Sequence, residues 1–295
     1  MKLNILLTGS SGFIGTNFIL KFHNIYNITA IARAESKVIE DKCNVYRYSD
    51  FNSFLLFLNK NNFDGVIHLA TLYIKSHKSN DIKNIIDSNI TFGTEICEAL
   101  AISNFKGWFI NVGTFWQFYK NISNNPLNLY AASKSAFESI INFYANTTNI
   151  TFSNIYLNDT YGANDTRNKI FNLWLKAAKS NEILEMSKGE QLIDILYIDD
   201  VLYAFSILIK LLQSKNKALA RNKVFALHTK HRKTLKELAN IFEKVMQVKL
   251  NIIWGAKPYM DRENFIPFEG GDELPNWVEK TSFEEGLRLL KESLK

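Results

Sequence analysis

The chain has 295 residues, 46% hydrophobic and 22% charged, with a net charge of +6. That length buries one large core or two unequal ones. The small basic excess is spread along the chain except at Lys230–His231–Arg232–Lys233, which argues against nucleic acid as a partner and suits an anionic small molecule.

From the N-terminus, residues 3–8 (LNILLT) are a short apolar run that predicts a strand, and SGFIGTNFILKF after it turns to helical spacing. Residues 28–32 (ITAIA) predict a second strand, 53–58 a helix, and 64–71 (DGVIHLAT) another buried strand. A long helix follows, with Ile85, Ile86, Ile90, Thr94, Ile96 and Leu100 on its apolar positions. GWFINVG predicts a strand, a loop reaches Pro126, a helix carrying Tyr130 runs to about Ala145, and TFSNIYL is again a strand. Short apolar runs alternating with helices imply parallel strands joined by helical crossovers. Continuous rather than alternating hydrophobicity says that both faces of the sheet are covered.

After Leu157 the rhythm breaks. Loop-rich LNDTYGANDTRNK precedes a helix over 170–179, a strand around 183–186, LIDILYIDDV, a helix over 201–213 and the strand KVFALH. Thr234 and Glu237 form a capping box for an amphipathic helix reaching Val245. The stretch after it is mostly loop, up to a final helix over 283–294. A sheet domain of residues 1–157, with a return segment at about 192–228, is expected beside a smaller domain made of 158–191 and 229–295. Cys43 and Cys97 offer neither metal spacing nor a disulfide framework. No signal peptide is read before the first strand, and no apolar run approaches ~18 residues. A cytoplasmic protein with no membrane partner is expected.

TGSSGFIG places Gly9, Gly12 and Gly15 between a strand and a helix. Glycines there let the backbone turn tightly and approach a pyrophosphate, and the helix N-terminus supplies free N–H groups. An NAD-preferring site carries Asp or Glu about 20 residues past the glycines. Here the second strand ends in Ala32 and Arg33, and a guanidinium holds a 2′-phosphate through paired, charge-assisted bonds. The reading is NADPH, with Ser10 or Ser11 near the phosphate; Glu35, two residues past Arg33, keeps NADH as the alternative.

Tyr130 and Lys134 stand one helical turn apart in NLYAASKSAFES, so they project from the same face. A phenol beside an ammonium is a surface accident or a proton donor with a tuned pKa. The wider pattern decides. TGSSGFIG (8–15), HLAT (68–71), NITFGT (89–94), Tyr130-x-x-x-Lys134, NDTYG (158–162) and LYIDDV (196–201) resemble, in that order, the extended short-chain dehydrogenase/reductases that act on nucleotide sugars.

The resemblance implies an α/β fold: a Rossmann doubly wound parallel sheet with a smaller C-terminal α/β substrate domain closing over a nucleoside-diphosphate sugar. It implies a homodimer paired through the helix near 82–101 and the Tyr130 helix. It makes Tyr130 the proton donor, Lys134 its tuner and a ligand of the nicotinamide ribose, and Thr114 an orienter of the sugar oxygen. It places Gly9, Ser10, Ser11, Gly12, Phe13, Ile14, Gly15, Arg33, Asp50, Leu69, Ala70 and Asn89 on the cofactor. On the substrate it places Thr71, Phe115, Trp116, Asp159, Lys169 and Arg262. Arg167 is a further anion candidate, and no residue is assigned to a metal.

Within that family the dehydratases carry Asp–Glu after the Thr, and the GDP-fucose-forming epimerase/reductases a Cys two residues past the Ser; this chain has Phe115–Trp116. With no second acid–base set, the choice narrows to a reductase or a 4-epimerase, and Arg33 favours net reduction. GTFWQFY, LNLYAASK, NDTYGANDTR and the tail PYMDRENFIPFEGGDELPNW look most like bacterial nucleotide-sugar 4-keto reductases such as CDP-abequose and CDP-paratose synthases. Ile193 stands where the family has an Arg before Asp194, so one phosphate contact is missing or replaced. The reading is an NADPH-dependent C4-keto reductase of a 4-keto-6-deoxy or 3,6-dideoxy nucleotide sugar, made for surface polysaccharide. The alternatives are an NAD-dependent 4-epimerase and, from another class, a non-catalytic cofactor-sensing regulatory protein.

Overall fold

The computed structural model describes residues 1–33, 37 and 39–294. Glu35, the residue that keeps NADH as an alternative, lies outside the described residues. The first elements are β1 (Asn4–Thr8), α1 (Phe13–Phe22), β2 (Asn27–Ala32), β3 (Asn44–Arg47), α2 (Phe51–Lys60), β4 (Gly65–His68), α3 (Ile82–Ile86), α4 (Phe92–Ile102), β5 (Trp108–Thr114), α5 (Leu129–Thr147) and β6 (Thr151–Leu157). Then come β7 (Asp159–Tyr161), α6 (Ile170–Ser180), β8 (Ile183–Met186), β9 (Leu192–Ile193), β10 (Ile195–Tyr197) and α7 (Ile198–Gln213). The chain ends with β11 (Lys223–Ala226), β12 (Lys233–Thr234), α8 (Leu235–Met246), β13 (Asn251–Trp254) and α9 (Phe283–Ser293).

The strands with continuous apolar runs, joined at one edge by β3, make a seven-stranded sheet, ordered β11-β6-β5-β4-β1-β2-β3, with every pair parallel. Both faces are covered, as a doubly wound α/β sheet requires. On one side α1 and α7 meet through Phe18 and Phe205, whose rings cross edge-on at 6.1 Å. On the other, Phe54 of α2, Ile96 and Leu100 of α4 and Phe137 and Ile141 of α5 pack on Leu6, Val66, Phe109 and Phe152. The strand order reverses between β1 and β4. A crevice therefore opens at their C-terminal ends, where open α/β sheets bind ligands. Thr8, Gly9 and His68 all lie at that edge.

Among the described residues, three two-stranded pairings lie outside the main sheet: β7 with β10, β8 with β13, and β9 with β12. α7 anchors the loop before α9: the buried Asp200 carboxylate accepts from the backbone N–H groups of Lys280 (2.9 Å) and Thr281 (3.0 Å).

Several elements differ from their sequence reading. The strand expected over 64–71 stops at His68, because the backbone N–H groups of Leu69 and Ala70 leave the ladder for the Thr8 hydroxyl, each at 3.1 Å. The long helix near 82–101 widens into one π-type turn over Asp87–Thr91, a distortion common at functional sites. α7 begins three residues early, at Ile198. β3 and β13 were not anticipated at all.

Candidate active site

The glycine turn is built against the segment that follows β4. Gly9 has φ +67°, and a Cβ there would stand 2.5 Å from the Leu69 carbonyl carbon and 2.6 Å from the Ala70 nitrogen. A Cβ on Gly15 would stand 2.3 Å from the Gly9 oxygen. Thr8 locks the two segments together: its hydroxyl accepts from Leu69 and Ala70 and lies 3.0 Å from His68 Nδ1. α1 then starts at Phe13 after a Gly12 N-cap, with no side-chain cap and no acidic residue in its first turn. Its first N–H groups and the positive end of its dipole are left for an anion, as a dinucleotide pyrophosphate requires.

α5 begins at an Asn128 cap whose side chain accepts from Ala131 N at 3.0 Å, setting Tyr130 and Lys134 in the first two turns. Lys134 is only 3% exposed. Burial pulls its ammonium down to about 8, while the Glu138 carboxylate pushes the other way. Among the described residues its ammonium makes no hydrogen bond or ion pair. A buried, unpartnered ammonium is costly, and the ribose diol of a bound dinucleotide is a group of the right chemistry to satisfy it. Behind it, burial and the Lys134 charge press the wholly buried His68 down to about 3, so that ring is neutral.

Tyr130 stands in an aromatic corner. Its ring meets Tyr73 edge-on at 5.1 Å and Trp116 at 6.4 Å. Burial pushes its phenol up to about 12; Lys169, the Thr71 hydroxyl and Arg167 oppose that, and Tyr73 adds to it. The cation facing the phenol most strongly is thus Lys169 rather than Lys134. Lys169 is held by Asp159 at 3.0 Å and lies 4.3 Å from the centre of the Tyr73 ring and 5.8 Å from that of Trp116. Burial lowers its pKa, but Asp159 and Tyr73 outweigh burial and the net shift is upward.

Thr114 closes β5, 7% exposed, and caps the turn after it, its hydroxyl accepting from Trp116 N at 3.3 Å. Thr71 donates its hydroxyl to Asn89 (3.1 Å). Ser10, Phe13, Ile14, Leu69 and Ala70 lie along the glycine turn, and Ser11 is exposed beside it. Arg33 is exposed just past β2, where its carbonyl accepts from Arg47 at 3.0 Å.

Other residues are placed differently from their sequence reading. Phe115 is wholly buried between His228 (4.8 Å) and Phe268 (5.6 Å), so its side chain cannot touch a substrate; Trp116 alone of that pair lines the corner. Asn89 spends its side chain on protein, accepting from Thr71 and Leu72 N (2.6 Å) and donating to Leu72 O (3.1 Å) and Ser133 (2.9 Å). It clamps the loop after β4 onto α5 and has nothing left for the cofactor. Asp50 caps α2, with Ser49 and Ser53 on its carboxylate.

Arg262 is exposed and does not pair with its acidic neighbours. It donates to Leu127 O (3.1 Å), Asn125 Oδ1 (2.7 Å) and Pro126 O (3.0 Å), pinning the C-terminal tail to the loop before α5. Arg167 is tied to Asp165 (2.8 Å) and Thr160 O (2.7 Å), its guanidinium 4.2 Å from the centre of the Phe13 ring.

Sequence reasoning missed Tyr73, Gln117, Glu138 and Tyr156. Glu138 accepts from Gln117 Nε2 (2.8 Å) and the Tyr156 hydroxyl (2.5 Å), and Gln117 Oε1 accepts from Thr114 N (2.9 Å). Only the place of Glu138, one turn past Lys134, was visible locally.

A glycine turn at the switch point, a buried lysine and a phenol one turn before it define a dinucleotide-dependent oxidoreductase site on a Rossmann sheet. Residues 5–221 match the NAD dependent epimerase/dehydratase family, and the chain belongs to it. It is similar to a CDP-abequose synthase of Yersinia pseudotuberculosis, 29% identical over 94% of this chain and 98% of that protein. A CDP-abequose synthase of Salmonella typhimurium is 26% identical over 98% of this chain and 99% of that one. In fold it resembles the UDP-glucose 4-epimerase of Thermotoga maritima solved with UDP-glucose (TM-score 0.85, 20% identity, 99% and 98% of the two chains). It also resembles a Bacillus cereus UDP-glucuronic acid 4-epimerase solved with UDP-glucuronic acid and NAD (TM-score 0.83, 17% identity, 99% of each chain). The protein is an NAD(P)-dependent oxidoreductase acting on a nucleotide sugar. Among the described residues no helix is long and apolar enough to cross a membrane.

Proposed function

We propose that the protein reduces the C4 keto group of a nucleoside-diphosphate 4-keto-6-deoxy or 3,6-dideoxy sugar with NADPH, in the making of a surface polysaccharide in the cytoplasm. The observation that carries this reading is the composition of the corner around Tyr130. It is walled by Tyr73 and Trp116, and the Asp159 carboxylate beside it is engaged by Lys169. Elimination of water or epimerisation beside the carbonyl needs a second acid–base group aimed at ring carbon, and the Phe115–Trp116 pair supplies none. Reduction needs only one proton donor. The nearly full-length similarity to CDP-abequose synthases supports deoxysugar chemistry. Arg33 at the end of β2 supports NADPH.

When bound, the cofactor supplies a hydride to the carbonyl carbon. Tyr130 gives its phenolic proton to the oxygen that becomes negative, closing the balance from ketone to alcohol, and regains a proton from solvent. Lys169 holds the phenolate that forms, against a burial that otherwise keeps the phenol neutral, and Lys134, one turn along the helix, holds the nicotinamide ribose. Thr114 orients the sugar oxygen, and Lys169 and Trp116 hold the sugar nucleotide. We assign the substrate lobe to residues 158–191 and 229–295. We also propose a homodimer through α4 and α5, which leave Ile102 55% and Phe143 58% exposed.

The test is to mix purified protein, NADPH and CDP-, GDP- or dTDP-linked 4-keto-6-deoxy sugars and follow the nicotinamide absorbance. Consumption of NADPH is expected with at least one. No oxidation with any of them overturns the reading, and NAD retained through purification with sugars interconverted and no net redox change replaces it with a 4-epimerase.

A further inference from the structure

We propose that Glu138 is a positioning residue for this reaction: its carboxylate keeps the charge on Lys134 and braces the end of β5 against α5. The proposal rests on the reading of Tyr130 and Lys134 as the acid pair.

Glu138 follows Lys134 by one turn of α5 and shares its face. Its side chain is half-buried, and it meets no cation within ion-pair distance among the described residues. What holds it is two neutral donors, the Gln117 amide at 2.8 Å and the Tyr156 hydroxyl at 2.5 Å. Burial first, and then the Glu138 carboxylate, keep the Tyr156 phenol protonated, so it remains a donor to that carboxylate.

Lys134 needs such a neighbour. The charged or titratable groups that act on it or stand beside it are Glu138 and Tyr130 from its own helix and the neutral His68 from β4. Of these, only Glu138 opposes the burial that strips its proton. Lys134 is the group that has to stay cationic to hold a ribose diol.

The same carboxylate reaches the third member of the site. Gln117 passes the contact on, its Oε1 accepting from Thr114 N at 2.9 Å. Helix position 138 and strand end 114 are thereby joined through one amide. Gly113 makes room for this: a Cβ there would stand 2.4 Å from the Tyr156 ring and 2.9 Å from Gln117 Oε1. The glycine before Thr114 is required by the brace, not by backbone strain.

The experiment titrates NADPH binding by its fluorescence, and kcat/KM with a CDP-linked 4-keto-6-deoxy sugar, between pH 6 and 10. Wild type, Glu138→Gln and Tyr156→Phe are compared. Glu138→Gln keeps the acceptor but removes the charge, so the alkaline limb of both profiles is expected to move down by about one pH unit, a loss of roughly fivefold at pH 8. Tyr156→Phe keeps the charge and loosens the brace, so the limb stays and kcat falls about three- to tenfold with NADPH affinity retained. A Glu138→Gln limb coincident with wild type overturns the proposal. If that variant does not fold, wild-type kcat in Tyr156→Phe overturns it. The binding profile reads the Lys134 charge without turnover. A protein that binds NADPH with the predicted limbs but reduces no sugar therefore refutes the substrate assignment and not this role of Glu138.

Discussion

The Lys169 ammonium lies 4.3 Å from the centre of the Tyr73 ring, held there by Asp159 at 3.0 Å. A cation over an aromatic face, largely shielded from water, is worth ~2 kcal/mol, and this one also faces the Tyr130 phenol. Lys169→Met should raise the KM for the nucleotide sugar about tenfold or more and leave NADPH affinity within about twofold. Steady-state kinetics with each substrate varied checks this. Loss of NADPH affinity instead would move Lys169 to the cofactor.

The glycines of the turn are not equivalent. Gly9 needs a positive φ and touches backbone at Leu69 and Ala70, whereas a Cβ on Gly12 would meet only the Gly9 oxygen, at 3.2 Å. Gly9→Ala is expected to cost at least about 2–3 kcal/mol and to abolish NADPH binding. Gly12→Ala should melt within a few degrees of wild type. Thermal unfolding with and without NADPH separates the two.

His68 gives the fold an acid limit. Its folded pKa of about 3 lies below the ordinary 6.5, first because of burial and then because of Lys134. The unfolded chain therefore binds a proton that the folded one refuses. The stability owed to this group is complete above pH 6.5 and declines as pH falls toward 3, by about 1.4 kcal/mol per unit. Urea unfolding of wild type and His68→Phe between pH 4 and 8 should show the slope reduced in the variant.

Arg33 follows β2, where a dinucleotide's second ribose is read. Arg33→Ala should raise the KM for NADPH about 10–100-fold and change that for NADH little. Equal losses with both cofactors would remove Arg33 from phosphate recognition.

The parts legible in the sequence were local ones. Strands β1, β2, β4, β5 and β6 are apolar runs that signal themselves, and the glycine triplet and Tyr130–Lys134 are short-range patterns. β3 is a four-residue edge strand paired on one side only, so NVYR carries no buried run. β13 exists because β8 lies beside it, and nothing within NIIW says so. Asn89 was legible as a residue but not as a clamp, because its partners Leu72 and Ser133 lie 17 and 44 residues away. Arg262 likewise finds its partners 135–137 residues back, in the loop before α5. The network through Gln117, Glu138 and Tyr156 joins a turn, a helix and a strand. Its members are common residues at unremarkable spacing, and only tertiary packing brings them together.

The central claim is that Tyr130 protonates the oxygen of a sugar ketone as hydride arrives at its carbon. NADPH carrying deuterium at the transferable position, mixed with a CDP-linked 4-keto-6-deoxy sugar, should yield an alcohol with one deuterium at C4 and one NADP+ per sugar. Tyr130→Phe should slow this by about 10²–10⁴-fold while still binding NADPH. Deuterium-free product, or a Tyr130→Phe enzyme that turns over like wild type, would contradict the account.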